Sequence, residues 1–246
     1  NLDAFNSYAK SQGTNAPVSE AAAFAYTTAL NALLARDSAQ RVQVGDASTV
    51  FWAKTPEPAE EWFANLIGSD TDNPDAHTQQ VKALFDAVHS GGFGGARGAN
   101  KFYVLGLAPN AARIAVRFWH EAPLAEVAQR VVQWFEDLRM VRGPNDAEFP
   151  SLFRLLAAVA VQGKADNIPP RLGGDIVRSL FMGTPYPAHW LQAAVQRCRA
   201  ERLPNHLRAA AIKACLNRSA HTTGTVSQQT WEIKEMLDPD NPNAGY

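Results

Sequence analysis

Phe102–Trp119 reads FYVLGLAPNAARIAVRFW, and the architecture turns on this stretch. Phe102–Leu107 is an apolar run with β-branched and aromatic members, and Pro109 and Asn110 follow it. Proline presets the φ that the second position of a turn needs, and asparagine tolerates the third. Arg113–Trp119 then alternates, with Ile114, Val116 and Phe118 on one side and Arg113, Ala115, Arg117 and Trp119 on the other. Such alternation marks a half-buried strand. The expectation is an antiparallel hairpin turning at Pro109 and Asn110. Its second strand should bury Ile114, Val116 and Phe118 and present Arg113 and Arg117 on the opposite face.

Working outward, Val42–Val44 and Thr49–Ala53 read as a second hairpin with Gly45 and Asp46 in its turn. Ser19 is placed to cap a helix over Glu20–Arg36. Helical periodicity predicts further helices at Ala59–Ile67 and Ala76–His89, and then from Pro123 onward at Leu124–Met140, Phe149–Val161, Gly174–Met182, His189–Ala200, Leu203–Asn217 and Val226–Leu237. The fold class is therefore α+β and predominantly helical. A small antiparallel sheet of two hairpins lies in the N-terminal half, and the C-terminal half is helical. The natural division falls between a mixed region 1–121 and a helical region 122–246, unless the two form one continuous domain.

A length of 246 residues with 46% hydrophobic content is enough to bury a sizeable core. No run of about eighteen apolar residues exists to span a membrane. Cys198 and Cys215 each fall on the apolar side of a helical pattern, which suits buried thiols in a reducing cytosol. The formal net charge of −1 gives no global sign of nucleic-acid binding, but the charges are unevenly spread. Glu57, Glu60, Glu61, Asp70, Asp72 and Asp75 form an acidic stretch. Arg178, Arg197, Arg199, Arg202, Arg208, Lys213 and Arg218 form a basic one, opposed only by Glu201. A molecule polarised in this way can bind nucleic acid at near-zero net charge. The same arginines also fit the wet faces of surface helices.

The motifs of catalysis are missing. SGGFGGARGAN at Ser90–Asn100 lacks the Lys-Ser/Thr ending of a phosphate-binding loop and precedes a strand instead of following one. The six histidines are scattered singly, with no pair at metal-ligand spacing, and no GxSxG elbow occurs. Glu60 and Glu61 are adjacent on a helix and so diverge. The chain is therefore expected to be no enzyme and to need no cofactor or metal.

Binding features are better represented. In Gly91–Gly98 a permissive backbone carries Phe93 and Arg97, suited to stacking on a base and to contacting a phosphate; the alternative is a mobile connector. Lys101 follows directly. Arg113 and Arg117 would project from one strand face roughly 13 Å apart, to reach nonadjacent phosphates or to pair with Glu121 or Glu126. Asn110, at the expected turn tip, either satisfies its own backbone or reads a partner. Trp62, Trp134 and Trp190 sit at helical spacing among apolar residues and read as core.

The same central string resembles the large subunit of type I-C CRISPR interference complexes (Cascade). Other blocks resemble it in the same order: Asp3–Leu34, Thr49–Ala53 (TVFWA), Ile168–Pro187 (IPPRLGGDIVRSLFMGTPYP) and Ile212–Arg218 (IKACLNR). That resemblance implies the middle of a longer subunit, with a domain before it and a helical region after it. It implies a cytoplasmic, non-catalytic protein that engages target double-stranded DNA and its flanking motif. It further implies as partners the crRNA-bearing backbone subunits, a small helical subunit and a helicase–nuclease effector. Because polar Asn6–Ser19 lies in a matching block, Lys10 and Asn15 join the candidate contacts.

Overall fold

The computed structural model describes residues 18–68, 73, 75, 77–110, 113–223 and 240. The chain divides into two compact units, Asn1–Ser38 and Ala39–Tyr246. In the first, helix α1 spans Glu20–Leu33, and Ser19 caps it by accepting a 3.2 Å hydrogen bond from the Ala22 amide. None of its residues is buried, and Phe24 and Tyr26 are exposed.

The second unit holds the expected pair of hairpins as one four-stranded antiparallel sheet. The strands are β1 Arg41–Val44, β2 Ala47–Ala53, β3 Lys101–Asn110 and β4 Arg113–Pro123, ordered β1-β2-β3-β4. Helix α2 (Ala59–Gly68), helix α3 (Thr78–His89) and a short α4 (Gly95–Ala99) separate β2 from β3. After β4 come α5 Leu124–Leu138, α6 Leu152–Val159, α7 Leu172–Met182, α8 Ala188–Glu201 and α9 His206–Thr223. The expected helix over Val226–Leu237 lies outside the described residues. Fold class and element order thus agree with the sequence.

The sheet and the helices share one core. Phe51, Phe63 and Phe102 meet at ring-centroid distances of 4.9 to 6.3 Å, and Phe181 of α7 lies 5.6 Å from Phe63. Leu124, Val127, Val131, Trp134 and Leu138 recur at helical spacing on α5 and are buried. Trp134 and Trp190 stack at 5.8 Å with Tyr186 edge-on to both, so these two tryptophans are core as expected.

Two expectations for the central hairpin are corrected. Pro109 and Asn110 are not its turn: they pair with Ile114 and Arg113, and the chain reverses between Asn110 and Arg113. The alternation of β4 also breaks. Gly106 pairs with Phe118 but Leu107 pairs with Val116, so Arg117 is the extra residue of a β-bulge. One inserted residue exchanges the two faces beyond it. Phe118, His120 and Ala122 therefore face the core side, while Ile114 and Val116 join Trp119 on the outer side, 68% and 63% exposed. Arg113 and Arg117 do not form the evenly spaced pair that an unbroken strand would give.

Phe118 also explains the glycines around it. A Cβ on Gly106 would lie 2.4 Å from the Phe118 ring, and one on Gly174 would lie 3.2 Å from it. The ring is thus held between β3 and the first turn of α7. A Cβ on Gly173 would meet Val44 at 2.8 Å. The two glycines of RLGGD let the start of α7 approach both hairpins more closely than any other residue type allows.

The basic run also differs from its surface reading. Arg208, Lys213 and Arg218 are each 5% exposed or less. Arg208 donates to the carbonyls of Ala158 and Leu203 and to Glu201. Lys213 donates to the carbonyl of Arg139. Arg218 donates to Asp137 at 2.8 Å and to the Tyr186 hydroxyl at 2.8 Å, and its guanidinium lies over the Tyr186 ring. Asp137 also accepts from Tyr186 and Gln133. Burial pushes the Asp137 carboxyl above its usual range, and Arg218 opposes that shift.

Candidate nucleic-acid interface

The sheet has two ends, and the sequence candidates divide between them. At the end where β3 begins lie Phe93, Arg97 and Lys101. The glycine-rich stretch there is no bare loop. It contains α4, whose Gly98 is so close to the Phe93 carbonyl oxygen that an added Cβ would sit 1.8 Å from it. Phe93 is partly buried against the core. Arg97 is bound within the fold: Nε donates to Glu57 at 3.3 Å, a terminal nitrogen reaches the Gly92 carbonyl at 3.4 Å, and the guanidinium lies 4.8 Å from the Phe93 ring centre. Lys101 pairs with Glu121 across the hairpin, and that hydrogen bond raises its pKa.

At the other end lie Asn110, Arg113 and Arg117. Arg117 is paired with Asp46 of the β1–β2 turn at 2.5 Å, not with Glu121 or Glu126. Glu126 pairs with Arg130 instead. Asn110 and Arg113 face each other across the last rung of the ladder, and both are exposed. Among the described residues Arg113 has no carboxylate within ion-pair distance. The tip of the hairpin therefore carries a positive charge with no ion-pair partner among the described residues. Lys10 and Asn15 lie outside the described residues.

Beside Arg117 the structure assembles a cleft of about 210 Å³, lined by Asp46, Val116, Arg117, Phe118, Arg171, Asp175 and Arg178 among others. Periodicity alone had placed Arg178 in the basic run and had given Arg171 no role. The Phe118–Gly174 contact, which seats α7 on β4, carries both arginines to Arg117. The RLGGD glycines, read as close-approach residues, were the available signal.

A second feature escaped the sequence. Trp52, Tyr103 and Trp119 come from three adjacent strands and pack mutually at 5.3 to 5.8 Å on the outer sheet face. Trp119 is 49% exposed. Their registers, Trp52 with Tyr103 and Leu105 with Trp119, follow only from the strand pairing.

No cluster of three metal-ligating side chains occurs among the described residues. His120 is partly buried and stacks on Phe181 at 5.4 Å. Burial, aided by the Arg178 and Arg130 charges, lowers its pKa. Burial pushes the Cys215 thiol up to about 12, so it stays protonated, and both cysteines are free. Among the described residues no helix is long and apolar enough to cross a membrane.

The described part is thus an α+β body whose hairpin tip carries an arginine with no ion-pair partner among the described residues. The family model described as "CRISPR-associated protein (Cas_Csd1)" matches residues 1–246, and the chain belongs to that family. A comparison with curated proteins found no match.

Proposed function

We propose that this chain is part of the large subunit of a type I-C Cascade complex and grips nucleic acid without breaking a covalent bond. In this reading it engages target DNA beside the flanking motif, steadies the opened strands, and helps present a surface to the helicase–nuclease. The crRNA-bearing backbone and the small helical subunit are its neighbours. Guide pairing supplies sequence specificity, and the protein contributes backbone and shape contacts. The family match over residues 1–246 carries this reading, and the exposure of the Arg113–Asn110 rung supports a contact at the hairpin tip. A phosphate contact needs a cation that is not already spent on a carboxylate.

The test is binding of a forked DNA by the assembled complex over a salt series. Arg113→Ala with Asn110→Ala should weaken binding and flatten the salt slope. An unchanged slope with the complex intact would remove the hairpin tip from the interface.

One observation favours a second reading, contact with another subunit. Trp119, Ile114 and Val116 present apolar surface on the same outer face, and exposed apolar patches mark protein interfaces. Under that reading Ile114→Ser with Trp119→Ser would block assembly of the complex and leave the isolated subunit folded. A scaffold meeting its neighbours through the basic helices Arg197–Arg218 and the acidic segment Glu57–Asp75, with no nucleic acid touched, has less support, because Arg208, Lys213 and Arg218 are buried.

A further inference from the structure

Three arginines and two aspartates line the cleft between the bulge of β4 and the start of α7, and they are not equally engaged. Asp46 is taken up by Arg117 at 2.5 Å. Asp175 lies 3.7 Å from the His189 ring. Arg171 and Arg178 are both exposed, and among the described residues neither has a carboxylate within ion-pair distance. Among the described residues, the side-chain bond of Arg178 runs to the sulfur of Met182 at 3.5 Å, a weak acceptor. Arg171 is held at φ 69°, a left-handed conformation that costs energy for a residue with a side chain. Three guanidinium groups against the two carboxylates Asp46 and Asp175 leave this lining with an excess of positive charge.

We propose that this cleft binds a phosphate of a nucleic-acid backbone, with Arg171 and Arg178 as its clamp and Arg117 as a third donor released from Asp46 when the phosphate arrives. Guanidinium groups match phosphate oxygens with paired N–H donors, so arginines suit this geometry better than lysines would. The cleft is a concavity, and its floor is set by the Phe118 ring between Gly106 and Gly174. A backbone phosphate would enter beside the bulge, where Val116 and Arg117 line the cleft. The inference rests on the nucleic-acid reading of this sheet and adds to it a defined site that the sequence candidates do not include, apart from Arg117.

The experiment uses the assembled complex and a labelled forked DNA, with affinity measured across a salt series. Arg171→Gln with Arg178→Gln should lower affinity roughly tenfold, the effect of losing one charge-assisted clamp. The salt slope should flatten by about 0.7–0.9, equivalent to one phosphate. Both side chains are exposed, so the fold should be unaffected. Asp46→Asn should act in the opposite sense and tighten binding, because it frees Arg117; a purely structural role for this cluster gives no such gain. Unchanged affinity and slope in the double glutamine variant would overturn the assignment, as would weaker binding by Asp46→Asn. Weakening by the Arg113 and Asn110 substitutions alone would leave the hairpin reading standing and remove the cleft. Weakening by the cleft substitutions alone would do the reverse.

Discussion

Arg218 and Arg113 are the same side chain in opposite circumstances. On α9, Arg218 is enclosed among Asp137, Tyr186 and the surrounding core, and Arg208 and Lys213 are likewise consumed by carbonyls and a carboxylate. On the hairpin, and at the nearby start of α7, Arg113, Arg171 and Arg178 are exposed and lack such partners among the described residues. The helix that looks basic in the sequence has spent its charge internally, while the strand that looks balanced has charge left over. A count of basic residues along the chain therefore does not separate the two cases: of the run Arg178–Arg218, Arg208, Lys213 and Arg218 are buried while Arg178, Arg199 and Arg202 are exposed. What matters for a polyanion is the cation that the fold has left without a partner.

The comparison can be broken most forcefully at Arg218. Arg218→Ala should cost about 3–5 kcal/mol in chemical denaturation, because Asp137 would be left buried and unpaired. A loss under about 1 kcal/mol would mean that the pair is not desolvated as the structure has it. Pairing Arg218→Met with Asp137→Leu should recover much of the loss, since removing both charges leaves nothing stranded.

Phe118 tests the other region. Phe118→Ala should destabilise by about 3–5 kcal/mol, as expected for a buried aromatic. It should also loosen α7 from β4 and thereby weaken DNA binding by the complex. Full stability would show that the wrong strand face has been assigned to the interior.

A smaller effect comes from acid. The folded pKa of His120 lies below its unfolded value, so the folded state binds fewer protons in the window between them. The stability it contributes is complete above the unfolded pKa of about 6.5 and is lost as pH falls through the lower folded pKa. The same direction holds for His206, also through burial. His120→Gln should flatten this slope, and an identical pH profile would contradict its burial. The least effect on stability is expected from Arg113→Ala, within about 0.5 kcal/mol, although DNA binding by the complex should fall. A larger loss of stability would indicate a structural partner for Arg113.

Much of the scaffold was legible in the sequence. Ser19 was correctly read as a cap, Gly45 with Asp46 as a turn, and Leu124–Met140 as a helix, which the structure ends at Leu138. The candidate site was less so, for three physical reasons. Alternation predicts faces only while the strand keeps its phase, and the bulge at Arg117 shifts it, so Ile114 and Val116 were assigned to the interior. Periodicity assigns charged residues to water. On α9, however, the small residues Ala210, Ala211, Ala214 and Cys215 allow such close packing that neighbouring cations are enclosed too. Finally, Arg171 and Arg178 reach Arg117 only through tertiary contacts, the two glycines packed on Val44 and Phe118, which local sequence carries as a hint and not as a distance. The Gly91–Gly98 stretch erred in the other direction. Its glycines suggested a slack tether, yet Gly98 is needed for close packing under Phe93.

The slip between Gly106 and Leu107 has a practical corollary for anyone transplanting this ribbon. Copying Phe102–Trp119 onto a regular two-stranded scaffold would deliver its far half inside out, with Ile114 and Val116 turned to the interior. Excising Arg117 alone should instead leave Ile114 and Val116 outward, because Gly106–Phe118 and Leu107–Val116 would then be consecutive rungs of a regular ladder. The irregular rung is thus a phase shifter, and a graft that omits it would carry the letters of this segment without their meaning.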